Sequence, residues 1–175
     1  MPRPREDLTA GEWAVLALLA EGPAHGFALA RAMAPEGEVG RIWSLRRPLV
    51  YRATEQLTER GLARSGKTVP SPKGPQRTVL KVTPAGRRAV AGWLAEPVEH
   101  VRDARSLLML KLLFLARGGG DPAPLLHAQR ARFAELAERL TEAVDGADGF
   151  DRTLALWRLE STAAALRFVD TMLGD

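Results

Sequence analysis

The chain of 175 residues has a formal net charge of +4, contains no cysteine and is 46% hydrophobic. These values are typical of a soluble globular protein with one good-sized domain, or with two small domains that share a core. The absence of cysteine excludes a disulfide framework, thiolate zinc sites and a cysteine nucleophile.

Two helices are predicted at the start of the chain. Thr9 and Glu12 have the spacing of a capping box ahead of the apolar run WAVLALLAEG, and Gly22-Pro23 ends that helix. A second helix is predicted over HGFALARAM and is expected to stop near Pro35. The chain therefore begins with two short helices separated by a turn.

A third helix is predicted over SLRRPLVYRATEQLTERGL, residues 44–62. Pro48 suits its first turn, where a missing N–H costs nothing, and Gly61 provides a left-handed C-cap. Helical periodicity divides the other residues between two faces. The core-facing stripe consists of Val50, Ala53 and Leu57, and the other side of Tyr51, Arg52, Glu55 and Glu59.

The charge of the third helix is arranged against its macrodipole. Arg46, Arg47 and Arg52 lie in its N-terminal part, where the positive end of the dipole favours acidic residues. Residues 41–81 contain 10 basic and 2 acidic residues, so the net charge of +4 hides a local balance of +8. Such a block is typical of an anion-binding surface, and a solvated basic face without a partner is the alternative.

A β-hairpin and a fourth helix are predicted next. LARSGKTV and TVLKVT have the composition of strands, and the intervening VPSPKGPQR predicts a long, positively charged tip. Thr83 and Pro84 supply the N-cap and the first position of a helix that contains Val90 and Trp93. The order helix, helix, helix, hairpin, helix is that of a winged helix-turn-helix, which we predict for residues 1–97.

The second half, residues 98–175, is predicted to be wholly helical. Residues 103–117 are apolar on nearly all sides, which indicates burial on several faces. Residues 118–120 are glycines that break the chain, and Asp121-Pro122 begins another helix. The apolar stripe of that helix is formed by Leu126, Phe133, Ala137, Leu140 and Val144.

A last helix is predicted from about residue 150 to residue 173, with two apolar stripes. One stripe can be buried within its own chain, and the other predicts a dimer seam, with burial in a larger core as the alternative. We therefore predict a mainly α fold with a small β-hairpin, in which a C-terminal helical dimerisation domain follows the winged helix. The first stripe comprises Phe150, Leu154, Trp157, Phe168 and Met172, and the second, assigned to dimerisation, comprises Leu156, Leu159, Ala163 and Leu166.

Duplex DNA would supply the negative charge that the third helix lacks. In a helix-turn-helix the N-terminal residues of this helix meet base edges and phosphates in the major groove. An arginine there can bind guanine O6 and N7 or hold a phosphate, and the sequence leaves both open. Tyr51 suits a phosphate contact or the edge of the core, and His25 suits a helix cap as well as DNA. The predicted DNA-binding residues are Ser44, Arg46, Arg47, Tyr51, Arg52, the wing residues Lys73, Gln76 and Arg77, and His25.

Four stretches resemble the PadR family of bacterial transcriptional regulators, over nearly the whole chain. They are VLALLAEGPAHGFALARAM, VYRATEQLTERGLA, KGPQRTVLKVTPAGRRAVAGWL and RDARSLLMLKLLFLA. The last stretch indicates the subgroup with a longer, multi-helix C-terminal domain. The resemblance implies a homodimer that binds a near-palindromic operator, usually as a repressor. A small ligand or another signal would release the homodimer from the operator.

Three departures from the family pattern affect the expected DNA contacts. The small residues that often precede the recognition helix are replaced by Arg46 and Arg47. The aromatic residue after the His-Gly pair is Phe27 instead of the usual tyrosine, and Thr78-Val79 replaces the aromatic pair of the wing. The resemblance therefore implies the family and leaves the operator sequence open.

Other functions have little support in the sequence. His25, His100 and His127 share no ligand spacing, so no metal or cofactor is expected. No Gly-Lys-Ser/Thr follows RGGGDP, and no serine or carboxylate pair has a catalytic context, so no enzymatic activity is expected. Trp13, Trp43, Trp93 and Trp157 could line a pocket for a small apolar or aromatic effector, and Trp93 and Trp157 are the chosen candidates, although large aromatic residues at helical spacing more often belong to a core.

The protein is expected to be cytoplasmic and not bound to a membrane. No signal peptide is predicted, and the run LLMLKLLFLA contains Lys111 and is too short to cross a bilayer. Two alternatives to the repressor are a winged-helix adaptor that binds proteins instead of DNA, and a MarR-like regulator. MarR-like chains usually have dimerisation helices at both ends, whereas only seven residues precede Leu8.

Overall fold

The computed structural model describes residues 8–71 and 74–174, except for the side chains of residues 67–77. Helices and one small antiparallel sheet make up the fold, which confirms the predicted fold class. The helices are α1 (Ala10–Glu21), α2 (Gly26–Ala32), α3 (Arg47–Glu59), α4 (Pro84–Ala95), α5 (Met109–Arg117), α6 (Ala123–Asp145) and α7 (Gly149–Leu173); the strands are β1 (Ala24–His25), β2 (Ala63–Ser71) and β3 (Gly74–Val82).

Helix α1 is the centre of the first hydrophobic core. The predicted capping box is present: the Thr9 hydroxyl accepts a hydrogen bond from the Glu12 N–H at 3.3 Å, and the Glu12 carboxylate accepts one from the Thr9 N–H at 2.7 Å. Every residue from Gly11 to Leu19 is buried, as expected of a helix surrounded by other elements. Around α1 the core includes Leu29, Met33, Val39, Val50, Leu57, Leu62, Val82, Val90 and Trp93.

The sheet has the strand order β1-β3-β2 and is antiparallel throughout. Strand β1 was not predicted, because its two residues, paired with Leu80 and Val79, are too few to show a period. The prediction of a long hairpin tip is wrong, because β2 continues to Ser71 and β3 starts at Gly74. Strand β2 is an edge strand with two irregularities in its register, and prolines are tolerated in such a strand.

Thr83 connects the end of α3 to the start of α4. Its hydroxyl accepts a hydrogen bond from the Gly86 N–H at 3.0 Å, which confirms the predicted N-cap ahead of Pro84. The same hydroxyl donates to the Gly61 carbonyl at 2.7 Å. Gly61 has a φ of 69° and follows α3, as its predicted role requires. The position of α3 is therefore fixed at its C-terminal end.

The segment around α5 contributes to two cores. The predicted continuous helix over residues 103–117 is interrupted, because Val101–Asp103 form a 3-10 turn and Ala104–Leu108 a π-helical turn. A π turn holds more residues than an α turn, which changes the direction of the side chains that follow it. Leu108 belongs to the second core and Leu110 to the first, as two residues on nearly opposite sides of one helix.

The second core is formed by α6, α7 and the segment that precedes α5. Gln129 is fully buried in it and exchanges two hydrogen bonds with the Val98 backbone, accepting at 2.7 Å and donating at 3.0 Å. Arg130 contacts Asp170 at 2.6 Å, which joins the first half of α6 to the end of the antiparallel α7. The buried apolar members of this core are Val98, Leu108, Leu125, Leu126, Phe133 and Val169.

Lys111 is a buried cation at the contact between α4 and α5. Its residue surface is only 3% exposed, and its Nζ donates a hydrogen bond to the Glu96 carbonyl just after α4. Nζ also lies 5.3 Å from the centroid of the Trp93 ring. Burial lowers the pKa of Lys111 to about 8, although the negative charge of Glu96 acts in the opposite direction.

We predict that Lys111→Met stabilises the protein at pH 7 and that this advantage shrinks as the pH rises. The folded-state pKa of about 8 is below the ordinary value of 10.5. The unfolded chain therefore binds more protons between these values, and wild-type stability increases with pH there. Urea denaturation gives the excess unfolding free energy of Lys111→Met over the wild type at each pH. This excess should be about 1 to 2 kcal/mol smaller at pH 10 than at pH 7. An equal difference at both pH values would contradict this interpretation.

Candidate nucleic-acid interface

Helix α3 is held in place by one apolar face. Val50, Ala53 and Leu57 are at most 4% exposed and pack in the first core, as their spacing predicts. The opposite face is exposed and consists of Tyr51, Arg52, Glu55 and Glu59. The periodicity of the sequence therefore identified correctly which side of this helix is available to a partner.

The start of α3 differs from its prediction. The helix begins at Arg47 and not at Ser44, because the preceding residues are held in another conformation. The Leu45 N–H bonds to the Met33 carbonyl at 2.9 Å, and Arg46 has an extended backbone with φ −65° and ψ 145°. Ser44 thus lies before the helix, in an exposed position.

The N-terminus of α3 is basic and lacks a side-chain cap. Arg46 is the N-cap residue, its side chain makes no capping hydrogen bond, and the first turn contains no acidic residue. Arg46, Arg47 and Arg52 are exposed, and none of them forms an ion pair within the described part of the chain. The helix dipole adds its own positive end at the same place. This end of α3 is therefore a strongly positive surface.

Two aromatic rings contact the guanidinium group of Arg47. Its Cζ lies 5.6 Å from the centroid of the Phe27 ring and 5.7 Å from that of the Tyr51 ring. Both rings are accessible, with 44% of Phe27 and 37% of Tyr51 exposed. Tyr51 also lies against the backbone of Gly26, where a Cβ atom would be 2.5 Å from a ring carbon. We name these four residues the Arg47 cluster.

The remaining predicted DNA contacts are His25 and three residues of the wing. His25 caps α2, because its Nδ1 accepts a hydrogen bond from the Ala28 N–H at 3.0 Å. Its contact with DNA stays a prediction. Lys73 lies outside the described residues, as do the side chains of Gln76 and Arg77.

The connection between α2 and α3 is long for a helix-turn-helix. It spans residues 33–46, whereas the turn of this motif usually has three or four residues. Val39 and Gly40 are buried in it, and Glu38 forms an ion pair with Arg117 at the end of α5. The connection thus contacts the C-terminal half of the chain and leads directly into Arg46.

A cleft of about 760 Å³ lies between this connection, the turns before α5, and α7. Trp43 and Trp157 are among its lining residues. Trp93 is not, since it is buried in the first core and stacks on Trp13 with ring centroids 5.2 Å apart. The structure therefore does not bring the two predicted effector residues together. Trp43 is one of the four tryptophans that the sequence offers for a pocket, but its pairing with Trp157 was not predicted, because Trp157 and most of the other lining residues are far from it in the sequence.

Helix α7 exposes most of its large apolar residues. Its buried face consists of Ala155, Thr162 and Val169, which belong to neither predicted stripe. In the first stripe Phe150 is 78% and Trp157 70% exposed, and Phe168 and Met172 are also exposed. In the stripe assigned to dimerisation, Leu166 packs against the second core, Leu159 and Ala163 are half-buried, and Leu156 is exposed.

The described residues contain neither a metal cluster nor a membrane-spanning helix. Within residues 8–71 and 74–174, no group of three His, Cys, Asp or Glu residues could hold a metal ion. No helix in that part of the chain is long and apolar enough to cross a membrane.

Comparison with known proteins gives three kinds of similarity. Residues 15–92 match the model of the Transcriptional regulator PadR-like family. A Mycobacterium tuberculosis protein named "Probable transcriptional regulator Rv1176c" is 26% identical over 134 residues, which cover 73% of this chain and 69% of that protein. Among solved structures, Bacillus subtilis PadR in complex with operator DNA is 19% identical, with a TM-score of 0.47 and coverage of 93% of this chain and 97% of that one. The PadR-like regulator BC1756 from Bacillus cereus is 16% identical, with a TM-score of 0.44 and coverage of 97% of both chains.

Proposed function

Over residues 15–92 the chain belongs to the PadR-like family of transcriptional regulators, and from this premise we propose that it is a sequence-specific DNA-binding repressor. In this proposal residues 1–97 bind a near-palindromic operator, and residues 98–175 form a homodimer that responds to a small ligand. A protein with this role acts where the chromosome is, so we place it in the cytoplasm.

The observation that carries the proposal is the positive, uncapped N-terminus of α3. Three exposed arginines and the positive end of the helix dipole occupy one place, without a carboxylate in the first turn. This arrangement costs stability in the free protein and becomes favourable next to phosphates or to guanine edges. A helix that met only proteins would not need such a concentration of one charge.

The geometry is suitable for insertion of α3 into a major groove. One face of α3 is buried against the core, so that the opposite face and the N-terminal turn can meet the duplex. Ser44, Arg46, Arg47, Tyr51 and Arg52 lie on this accessible part of the protein. From the sequence alone we propose that Lys73, Gln76 and Arg77 contact the adjacent backbone.

We assign the C-terminal half to dimerisation on the basis of α7. Phe150 and Trp157 expose most of their surface to water, and Leu156 is exposed beside them. Burying such side chains against a second copy is favourable by about 1.5 to 3 kcal/mol for each large side chain. The proposed seam comprises Leu156, Leu159, Ala163 and Leu166, extended by the exposed first stripe of the same helix.

The cleft lined by Trp43 and Trp157 is the proposed effector site, in place of a site that pairs Trp157 with Trp93. Its two indole rings suit an apolar or aromatic molecule, and Arg102, Asp103 and Arg105 in the same lining suit polar groups on it. Trp43 lies three residues before Arg46, so a ligand there can affect the orientation of α3. Such a ligand changes operator affinity only if it binds one protomer arrangement better than the other.

The test is a fluorescence-anisotropy titration with duplexes from the region upstream of the protein's own gene, at two salt concentrations. We expect tight binding to one duplex and weaker binding to a scrambled duplex. The double variant Arg47→Ala, Arg52→Ala should bind weakly and reduce the slope of log affinity against log salt by about 1 to 2. Arg139→Ala removes an exposed charge from α6 and should bind as the wild type does.

The same titration distinguishes the adaptor alternative. A winged-helix adaptor would bind every duplex weakly, and its affinity would not change in the double variant. The MarR-like alternative makes the same DNA-binding prediction and differs in its dimer, for which it requires dimerisation helices at both ends of the chain. Disruption of the dimer by Leu156→Asp with Trp157→Asp, measured by sedimentation, would favour the arrangement proposed above.

A further inference from the structure

We propose that Arg47 is the arginine that recognises a guanine base in the operator, and that Phe27, Tyr51 and Gly26 hold it for that contact. Arg46 and Arg52 then contact phosphates. The inference rests on the proposed function, since it assigns roles within the same DNA-binding surface, and it starts from the two rings that contact one guanidinium group.

Guanine recognition and phosphate contact make different demands on an arginine. A bidentate bond to guanine O6 and N7 requires the planar guanidinium group to lie in the plane of the base pair. A phosphate attracts the positive charge from many directions, so a mobile side chain serves as well. The arginine whose plane is set before binding is therefore the one suited to a base.

Only Arg47 among the three arginines has such a constraint within the described residues. Its guanidinium group lies within 6 Å of both ring centroids, a distance at which the ring faces attract a cation. Arg46 and Arg52 show no ring contact and no ion pair there. Arg47 is also the first residue of α3, and the first residues of a recognition helix contact base edges.

The rings are themselves positioned by the start of α2. Tyr51 lies so close to Gly26 that a Cβ atom there would be 2.5 Å from Cε1 and 3.0 Å from Cζ of the tyrosine ring. Phe27 is the next residue along the chain, and its ring is the second one that the Arg47 guanidinium group contacts. The His-Gly-aromatic element therefore acts on DNA recognition through the side chain of Arg47, even without the tyrosine hydroxyl that Phe27 lacks.

The first test is selection of binding sites from a duplex pool with a randomised central region, followed by sequencing. Wild-type protein should select a guanine at one fixed position of each half-site. Arg47→Ala removes every donor to the base, so its preference for that guanine should fall about tenfold to hundredfold. Arg47→Lys keeps the charge without the planar fork, so it should lose part of that preference while its salt dependence stays the same. Arg46→Lys and Arg52→Lys should keep the preference.

The second test addresses the cluster, with the selected duplex as the probe. Phe27→Leu and Tyr51→Leu should each weaken binding about two- to fivefold, whereas Phe27→Tyr and Tyr51→Phe, which keep a ring, should bind nearly as the wild type does. Gly26→Ala should resemble Tyr51→Leu. Replacing the selected guanine with 7-deazaguanine, which lacks N7, should penalise the wild type and leave Arg47→Ala unaffected.

The outcomes separate this inference from the proposed function. If the wild type selects a defined site and Arg47→Ala keeps every base preference, the assignment of Arg47 is overturned while the repressor proposal stands. If Arg52→Lys loses the guanine preference instead, the role belongs to Arg52. If no sequence is enriched by the wild type, both the proposed function and this inference fail.

Discussion

Arg46→Asp is expected to stabilise the folded protein and to weaken specific DNA binding strongly. Unfolding free energy should increase by about 1 kcal/mol, and affinity for an operator duplex should fall about 100-fold at moderate salt. Few substitutions combine a gain in stability with a loss of DNA affinity of this size. The opposite signs make the variant a direct test of why an arginine occupies this position.

The gain in stability follows from the geometry of the N-cap. Arg46 has an extended backbone, which is the conformation that an aspartate N-cap adopts, and its own side chain makes no capping bond. An aspartate oxygen there would share the Leu49 N–H, which bonds to the carbonyl of residue 46 at 2.9 Å, and its charge would be favourable at the positive end of the helix dipole. Pro48 has no N–H to satisfy, so Leu49 provides the relevant donor.

The loss of binding follows from a change of two charge units beside the duplex. A charge-assisted contact with phosphate disappears, and a carboxylate is brought close to a strongly negative surface. Arg46→Ala is the matched variant, because it removes the contact without adding a cap or a repulsive charge. It should lose about tenfold in affinity and should not gain stability. Equal operator affinity in Arg46→Asp and the wild type would contradict DNA contact at this position.

Gly40→Ala is expected to destabilise the protein by about 3 kcal/mol. A Cβ atom at this position would lie 1.7 Å from the Ala34 carbonyl oxygen and 2.5 Å from its carbon. Both atoms belong to the backbone, so rotation of a side chain cannot relieve the overlap. The Gly40 N–H also bonds to the Ala32 carbonyl at 3.0 Å, which fixes the two backbone segments at this separation.

Gly22→Ala is the matched control for this substitution. Gly22 has a φ of 176°, an extended conformation open to any residue, and a Cβ atom there would have no neighbour within 4 Å. The unfolding free energy of Gly22→Ala, measured in urea, should be within about 0.5 kcal/mol of the wild-type value. Gly40→Ala should also lose operator affinity, because the connection that contains Gly40 leads into Arg46 and Arg47. Coincident unfolding curves for the two variants would show that the connection can move freely.

The helix ends and the buried face of α3 were predictable because their signals are local. The Thr9 and Glu12 capping box, the Thr83 N-cap and the left-handed Gly61 each act over a few residues, and the structure contains all three. The stripe of Val50, Ala53 and Leu57 depends only on helical spacing. Local signals also gave one wrong prediction. The Pro-rich composition of the wing predicted a long loop, whereas β2 continues to Ser71 and β3 starts at Gly74.

The sequence by itself indicated the resemblance to the PadR family, and it predicted the basic third helix and the mainly α fold with its hairpin. The resemblance rests on four stretches of sequence, whereas the helices, the hairpin and the basic block follow from composition, caps and periodicity, which neighbouring residues encode. The tertiary structure decided what surrounds each functional side chain: Phe27 beside Arg47, Trp43 in one cleft with Trp157, and Trp93 in the first core. Those contacts join segments that are far apart in the chain, and no local pattern specifies which distant residues meet when the core closes.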